Sequence, residues 1–479
     1  MPFLPPSPAQ RELHTGELPC FSTSLYRCLK TIMKRNSLST KLRSHCGDGG
    51  DKAGQTQSDT LYYNRGTEWC GGPLPRAKKD RSFKALLVLA IAVTVLIANE
   101  SAVGAGQDIE WTGTTSTTWG TATNWNPTGV PTGTDNAVFN STFTNQPTLT
   151  ASETVGGLWM TDPVGQNVTV GGAHLLMLEG NTINGNANLG VLVDNSSAFT
   201  LTIACDTRIV NSQGWANNSS NLLTVSGVVD LNGQTLTVSG SGNTLMSGKI
   251  TGGAPSSSLA KSGTGTLTLT GKNTYQGTTQ VLEGTLLLNG DQSTANGPTT
   301  VTVSGGGTTL GGTGTIGGTV TVGSGANIAP GNGGNTTAIL NTGALTLASG
   351  SNFLVDINGT TAGTQYDQLN VTGTVDITGS NLVVTVGGTL TLGDQYTIIN
   401  NDSTDPVTGT FNGLAEGSTF HIVGDGSFQI TYVGGTGNDV VLTSVTAVPE
   451  PSTWIGGALA VAALVYTQRR KLKKLLVSS

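Results

Sequence analysis

Charge is scarce in this chain. Only 11% of its residues are Asp, Glu, Lys or Arg, where globular proteins usually carry about 25%. Cations are the scarcest in the middle: residues 106–448 hold Arg208, Lys249, Lys261 and Lys272 against 20 acidic residues. Residues 273–448 hold no Lys or Arg at all. A nucleic-acid partner needs a basic footprint, so that class is excluded. Aromatic residues are few, at 5%, and no apolar periodicity of 3.6 residues runs for a useful length. An ordinary helical enzyme is therefore excluded as well. Cysteine is just as sparse. Cys20, Cys28, Cys46 and Cys70 all precede residue 76, at spacings that fit no metal-ligand pattern, and Cys205 stands alone in the body. One thiol makes no intrachain disulfide, and its alternating apolar setting, LTIACDT, predicts a small buried hydrophobe.

Glycine is what the chain has in excess: 69 of 479 residues, about twice its usual share of roughly 7%. It divides short runs of strict alternation: TGTLTLTG near Leu267, TVTVSGGG near Val301, GTVTVGSG near Val320, ALTLASG near Leu345 and NLVVTVGG near Val384. Alternation over four to six residues predicts half-buried strands, and glycine allows the positive φ of sharp corners. Repetition every 15 to 25 residues or so favours coils stacked along one axis. A sandwich would carry more large core residues and hairpin dipeptides.

Two terminal segments read as addresses. Residues 76–84, RAKKDRSFK, are basic, Ala85 to Ala98 form an apolar run, and Val103 and Ala105 are small residues at −3 and −1 of a cleavage point after Ala105. That order predicts a secretory signal over 76–105, its apolar run being shorter than the roughly 20 residues that span a bilayer. The polar lead-in 1–75 is unusual, and either a misassigned start codon or a very long n-region accounts for it. At the other end VPEPSTW precedes an apolar run from Trp454 to Thr467 and a basic cluster, Arg469 to Lys474. The cluster holds that end in the cytoplasm, and the prolines beside Glu450 keep the segment extended.

Candidate chemistry is thin. Asp356 in FLVDING and Asp376 in GTVDITG are 20 residues apart in like contexts. If Val355, Ile357, Val375 and Ile377 point inward, both aspartates point outward, and a coil of about 20 residues stacks them at about 4.8 Å. A solvated pair is the favoured reading, ahead of a weak calcium site or a glycosidase pair. GGTGNDVV, Gly434 to Val441, fits a calcium nonapeptide in a single copy, whereas such sites need consecutive repeats. His174 and His421 stand apart, and no serine sits in a triad-like grouping. Catalytic, cofactor-binding and metal residues are all expected to be none. Trp111, Trp119, Trp125 and Trp159 cluster near the start of the body. They read either as a cap over the first coil or as a platform for sugars.

The C-terminal order of motif, apolar span and basic tail resembles the PEP-CTERM sorting signal of Gram-negative bacteria. That resemblance implies recognition by an exosortase-type enzyme, with Pro449, Glu450 and Pro451 as the matching positions. In the body, LAKSGTGTLTLTGKNTYQGTTQVLEGTLLLN (Leu259 to Asn289) and GGTGTIGGTVTVGSGANIAPGN (Gly311 to Asn332) resemble autotransporter-associated β-strand repeat proteins. So do the opening WTGTTSTTWGTATNWNPTGVPTGTDNAVF and the closing stretch from YDQLNVTGTV to GGTGNDVVLTSV, with the weakest likeness between about 165 and 255. The resemblance implies an all-β fold, a right-handed parallel β-helix. Short apolar helices are expected in the signal and the anchor. The family's outer-membrane barrel is missing, which leaves delivery to the sorting tail.

The expected organisation is a lead-in over 1–75, a signal peptide over 76–105, and a Trp-capped solenoid part over 106–255. A repeat region over 256–445 and a sorting and anchor segment over 446–479 complete it. The expected protein is an exported structural or adhesin-like component of the cell surface, outer membrane or extracellular matrix, and not an enzyme. Its partners are the general secretion machinery, the exosortase and, through the tail, the membrane. A carbohydrate-binding module on extracellular polysaccharide is the alternative, with a polysaccharide-degrading β-helix enzyme behind it.

Overall fold

Successive side chains of an extended segment point to opposite faces, and the burial of this chain follows that alternation. Along Asn352–Ile357 half-buried and buried positions alternate through all six residues. The computed structural model describes residues 106–292, 300–402, 405–423, 426–446 and 459–470. The lead-in, the expected signal with its cleavage site at Ala105, and the motif Pro449, Glu450 and Pro451 lie outside the described residues.

Short strands wind into a parallel β-helix with three faces. The first face is a fifteen-stranded sheet that runs from Asp108–Trp111 to Val407–Thr408. The second has eleven strands, from Thr148–Leu149 to Asn381–Val386. The third is in two parts: five strands ending at Ile250–Thr251, and a sheet of eight that starts at Asp291–Gln292. Between those parts the Asn273 side chain substitutes for a strand, its Oδ1 accepting the Ile250 N–H at 2.8 Å. The first two sheets run without interruption across residue 255, with Thr235 beside Ser258 and Thr244 beside Leu267. Antiparallel pairing occurs at the margins. Trp125–Asn126 folds onto the first strand, the hairpin Asn181–Ile183 leans on Asn186–Val193, and strands between 395 and 446 close the far end.

Register places like on like. Leu201, Leu223, Thr244, Leu267, Leu286, Leu310, Ile328 and Phe353 form one inward column of the second face, and all are buried. Burial of each large aliphatic contributes about 1.5–3 kcal/mol, and a one-residue slip would turn the whole set outward. Rungs span 18 residues between Thr309 and Asn327, 25 between Asn327 and Asn352 and 29 between Asn352 and Asn381. They therefore outgrow the expected 15 to 25 toward the C-terminal end, because loops 331–338 and 358–367 are inserted between the second and third faces.

Two further columns need the register to be seen. Asn352 donates to Asn327, Asn381 to Asn352 and Asn412 to Asn381 through side-chain amides. On the third face Asn370 donates to Asn341, and Asn400 to Asn370, each at 3.0 Å. The corner between the second and third faces is a stack of glycines. A Cβ on Gly248 would lie 1.9 Å from the Gly227 carbonyl oxygen, one on Gly271 2.4 Å from that of Gly248, and one on Gly290 2.1 Å from that of Gly271. No side chain fits where backbones of successive rungs approach this closely.

A helix covers 459–470, inside the expected anchor segment. Among the described residues no helix is long and apolar enough to cross a membrane.

Gly271→Ala is expected to cost about 1–3 kcal/mol or more of unfolding free energy through overpacking against backbone. Gly253→Ala, where a Cβ would meet nothing within 4 Å, is expected to change stability by less than about 0.5 kcal/mol. Denaturant unfolding of both variants is the measurement, and equal effects would refute the close-approach account.

Candidate functional site

The outward side of the second face carries a cleft of about 400 Å³. Its floor is a row of small and aliphatic residues: Leu287, Gly311 and Ala329 in register, then Leu354 and Val383 paired on the following strands. The inserted loop supplies a wall of backbone from Gly331 to Asn335. Thr285 and Thr309 border the floor on one side, and Asp356 and Thr385 on the other. Asp356 is half-buried; burial raises its carboxyl above the usual range, and a hydrogen bond from the Thr385 hydroxyl opposes this.

Behind it lies Asp367, only 1% exposed. Its Oδ1 accepts the Ala338 N–H at 2.8 Å and its Oδ2 accepts the Asp356 N–H at 2.9 Å. The carboxylate thus fastens the wall-forming loop to the strand that carries Asp356. Burial pushes its pKa up to about 7; the two backbone N–H groups resist, and the Asp356 charge adds to the rise. Sequence reasoning missed Asp367 although a signal was present. In YDQLNV it shares parity with Leu369 and Val371, both buried, so the alternation itself pointed the acid inward.

The expected pairing of Asp356 with Asp376 does not occur. Val355, Ile357, Val375 and Ile377 are all buried, so both aspartates do face out, but on different sheets. Asp356 stands beside Thr385 on the second face, and Asp376 between Thr346 and Thr408 on the first. The cause is rung length: with the inserted loops a coil here exceeds 20 residues, and a 20-residue step passes the third face at Gln368–Val371 and stops on the first, short of a full turn.

The remaining candidates disperse. Asp439 of GGTGNDVV is 4% exposed and accepts the Asn401 N–H at 2.9 Å. The glycines before it form the tight turn between Gly426–Gly434 and Asp439–Thr446. His174 is exposed, and His421 Nδ1 lies 3.1 Å from Ser427 Oγ. Burial pushes the Cys205 thiol up to about 11, which keeps it a neutral, unreactive hydrophobe. Among the described residues no group of three or more His, Cys, Asp or Glu is placed to hold a metal ion.

Three of the four clustered tryptophans are inside. Trp111, Trp119 and Trp125 are at most 2% exposed, with Trp125 edge-on to the other two at ring distances of 4.9 and 4.7 Å. Trp125 Nε1 donates to the Trp119 carbonyl at 2.7 Å, and Trp111 Nε1 to that of Asn145 at 2.8 Å. These rings close the first rung, and a sugar cannot stack on them. Trp159 lies on the outer side of the first face, over Ile183, Leu192 and Ala216, and donates to Asp194 Oδ2 at 3.0 Å.

One rung of the body has a counterpart in a known family. Residues 259–288 match the passenger-associated-transport-repeat. No curated protein matches the chain. The transport repeat begins at Leu259, under which Thr279 stacks, and ends at Leu288, stacked on Leu269. It is one coil together with two faces of the next. It also carries an inward cation. Lys261 occupies the column of Val238 and Val281 at 2% exposure, and its Nζ donates to the carbonyls of Ser262, Gly263 and Glu283 at 2.8, 2.5 and 3.1 Å. Those carbonyls belong to the corners of two successive rungs, so the ammonium pins one corner to the next. A passenger repeat of this kind supports a secreted, surface-exposed, passenger-like protein.

Trp119→Ala is expected to lower unfolding free energy by about 3–5 kcal/mol, readable in denaturant melts, and an unchanged midpoint would show that the rings do not seal the end. Asp367 supplies a pH test. Its folded pKa lies above the unfolded one, so its contribution is fully present below about pH 4 and is lost as pH rises toward 7, at up to about 1.4 kcal/mol per pH unit. Asp367→Asn is expected to flatten the stability profile over that window, and an identical slope in both proteins would count against the assignment.

Proposed function

We propose that the chain is an exported, non-enzymatic structural or adhesin-like component of the Gram-negative cell surface or its extracellular matrix. In this reading the β-helix is a stiff, protease-resistant spacer, and the tail, through Pro449, Glu450 and Pro451, passes the protein to an exosortase-type enzyme after secretion by the general pathway. The transport repeat at 259–288, built into a stack of rungs whose first two sheets run through it without a break, is the observation that carries the proposal. A stack of this kind buries its aliphatic columns and turns Thr and Asn toward solvent, a surface suited to persistence outside the cell and unsuited to general acid–base chemistry.

The carbohydrate-module alternative loses its main residues, since Trp111, Trp119 and Trp125 are buried. The degradative-enzyme alternative needs a cation or a positioning Arg near its carboxylates, and residues 273–448 contain none.

Mass spectrometry of both termini of the mature protein, isolated from its native cell surface, tests the route. A first residue just after Ala105 and a last residue near Glu450 are expected. A mature chain that keeps residues 76–105 and 459–479 would refute secretion and sorting together.

A further inference from the structure

The cleft on the second face has a floor and a charge that the spacer role does not use. Its floor is a contiguous aliphatic row, with Val383 within it 44% exposed. At its side stands Asp356, whose side-chain partner is the neutral Thr385 hydroxyl, with the buried carboxyl of Asp367 behind it. Among the described residues no Lys or Arg is paired with either. Among the described residues the ion pairs are Arg208 with Asp230 and Lys272 with Asp291, and there is no Lys or Arg anywhere in 273–448. A half-buried carboxylate without a counter-charge is costly to keep ionised, and a cationic ligand in the cleft would lower that cost.

We propose that this cleft is a binding site for a small linear alkylamine, its ammonium on Asp356 and its hydrocarbon chain lying along Leu354 and Val383. An aliphatic row beside one carboxylate matches a ligand with a hydrocarbon body and one cationic end. A divalent metal is a poorer match, because it takes six or more oxygens and the described residues gather no three ligating side chains. A sugar is a poorer match as well, because no aromatic ring lines the cleft. Space suffices: the row from Leu287 to Val383 crosses four strand steps, about 19 Å at the usual spacing, and clefts of about 300 Å³ upward hold small ligands.

Calorimetric titration of the full-length protein with pentylamine near pH 8 tests the site. One saturable site is expected, with 1-pentanol giving none. Asp356→Asn is expected to weaken binding about tenfold or more, while Asp376→Asn, on another face, leaves it unchanged. Val383→Lys, which places an ammonium of the protein's own in the cleft, is expected to abolish binding, with unfolding midpoints confirming that each variant is folded. Absence of saturation, equal binding of 1-pentanol, or equal loss in Asp376→Asn would overturn the proposal. Tighter binding of a lysine-containing hexapeptide than of pentylamine would also overturn it, by moving the site to a protein partner.

Discussion

Each rung of this protein is held to the next by a parallel backbone ladder, and the ladder can close only where nothing separates the two backbones. The glycine stack from Gly227 through Gly248, Gly271 and Gly290 marks where that constraint is tightest. A Cβ there would collide with a carbonyl one rung below, so the corner fixes both residue type and spacing. With the corners fixed, the alternating strands between them fall into register. The inward columns of Leu, Ile, Val and Phe follow from that register. The hydrophobic core is thus a consequence of close backbone approach as much as its cause.

Departures from the pattern occur where polar groups take over a structural task. Lys261 replaces an aliphatic in its column and gives its three donors to corner carbonyls. Asn273 takes the place of a missing strand on the third face. Asp367 fixes an inserted loop by accepting two backbone N–H groups. A buried charge is tolerated when its hydrogen-bonding capacity is met by fixed partners, and each of these sits at a corner or loop where backbone groups would otherwise lack one.

The alternation in segments such as TLTL and TVTV was enough to place strands, because inward and outward positions differ in chemistry at every step; stacked coils followed from the repeat spacing, and the parallel β-helix from the family resemblance. The site was less legible. Asp356 could be placed outward from its neighbours, but pairing it with Asp376 needed the rung length, and the loops at 331–338 and 358–367 change that length without disturbing the strands. Asp367 and Lys261 carried the right parity, yet a charged residue is ordinarily assigned to the surface. The asparagine ladders had no local signature at all, since their members are 25, 29 and 31 residues apart on the second face and 29 and 30 on the third.

Those ladders have a direction. In the second-face ladder every amide nitrogen donates toward the preceding rung, ending on Thr309, and the third-face ladder runs the same way, ending on the Gly314 carbonyl. Aligned amides polarise one another, so both chains of bonds strengthen in one sense along the axis. Each rung of these ladders therefore presents an oxygen acceptor on its C-terminal side and an NH2 group on its N-terminal side. Along these faces each rung's amide oxygen is therefore the acceptor for the rung that follows it in sequence.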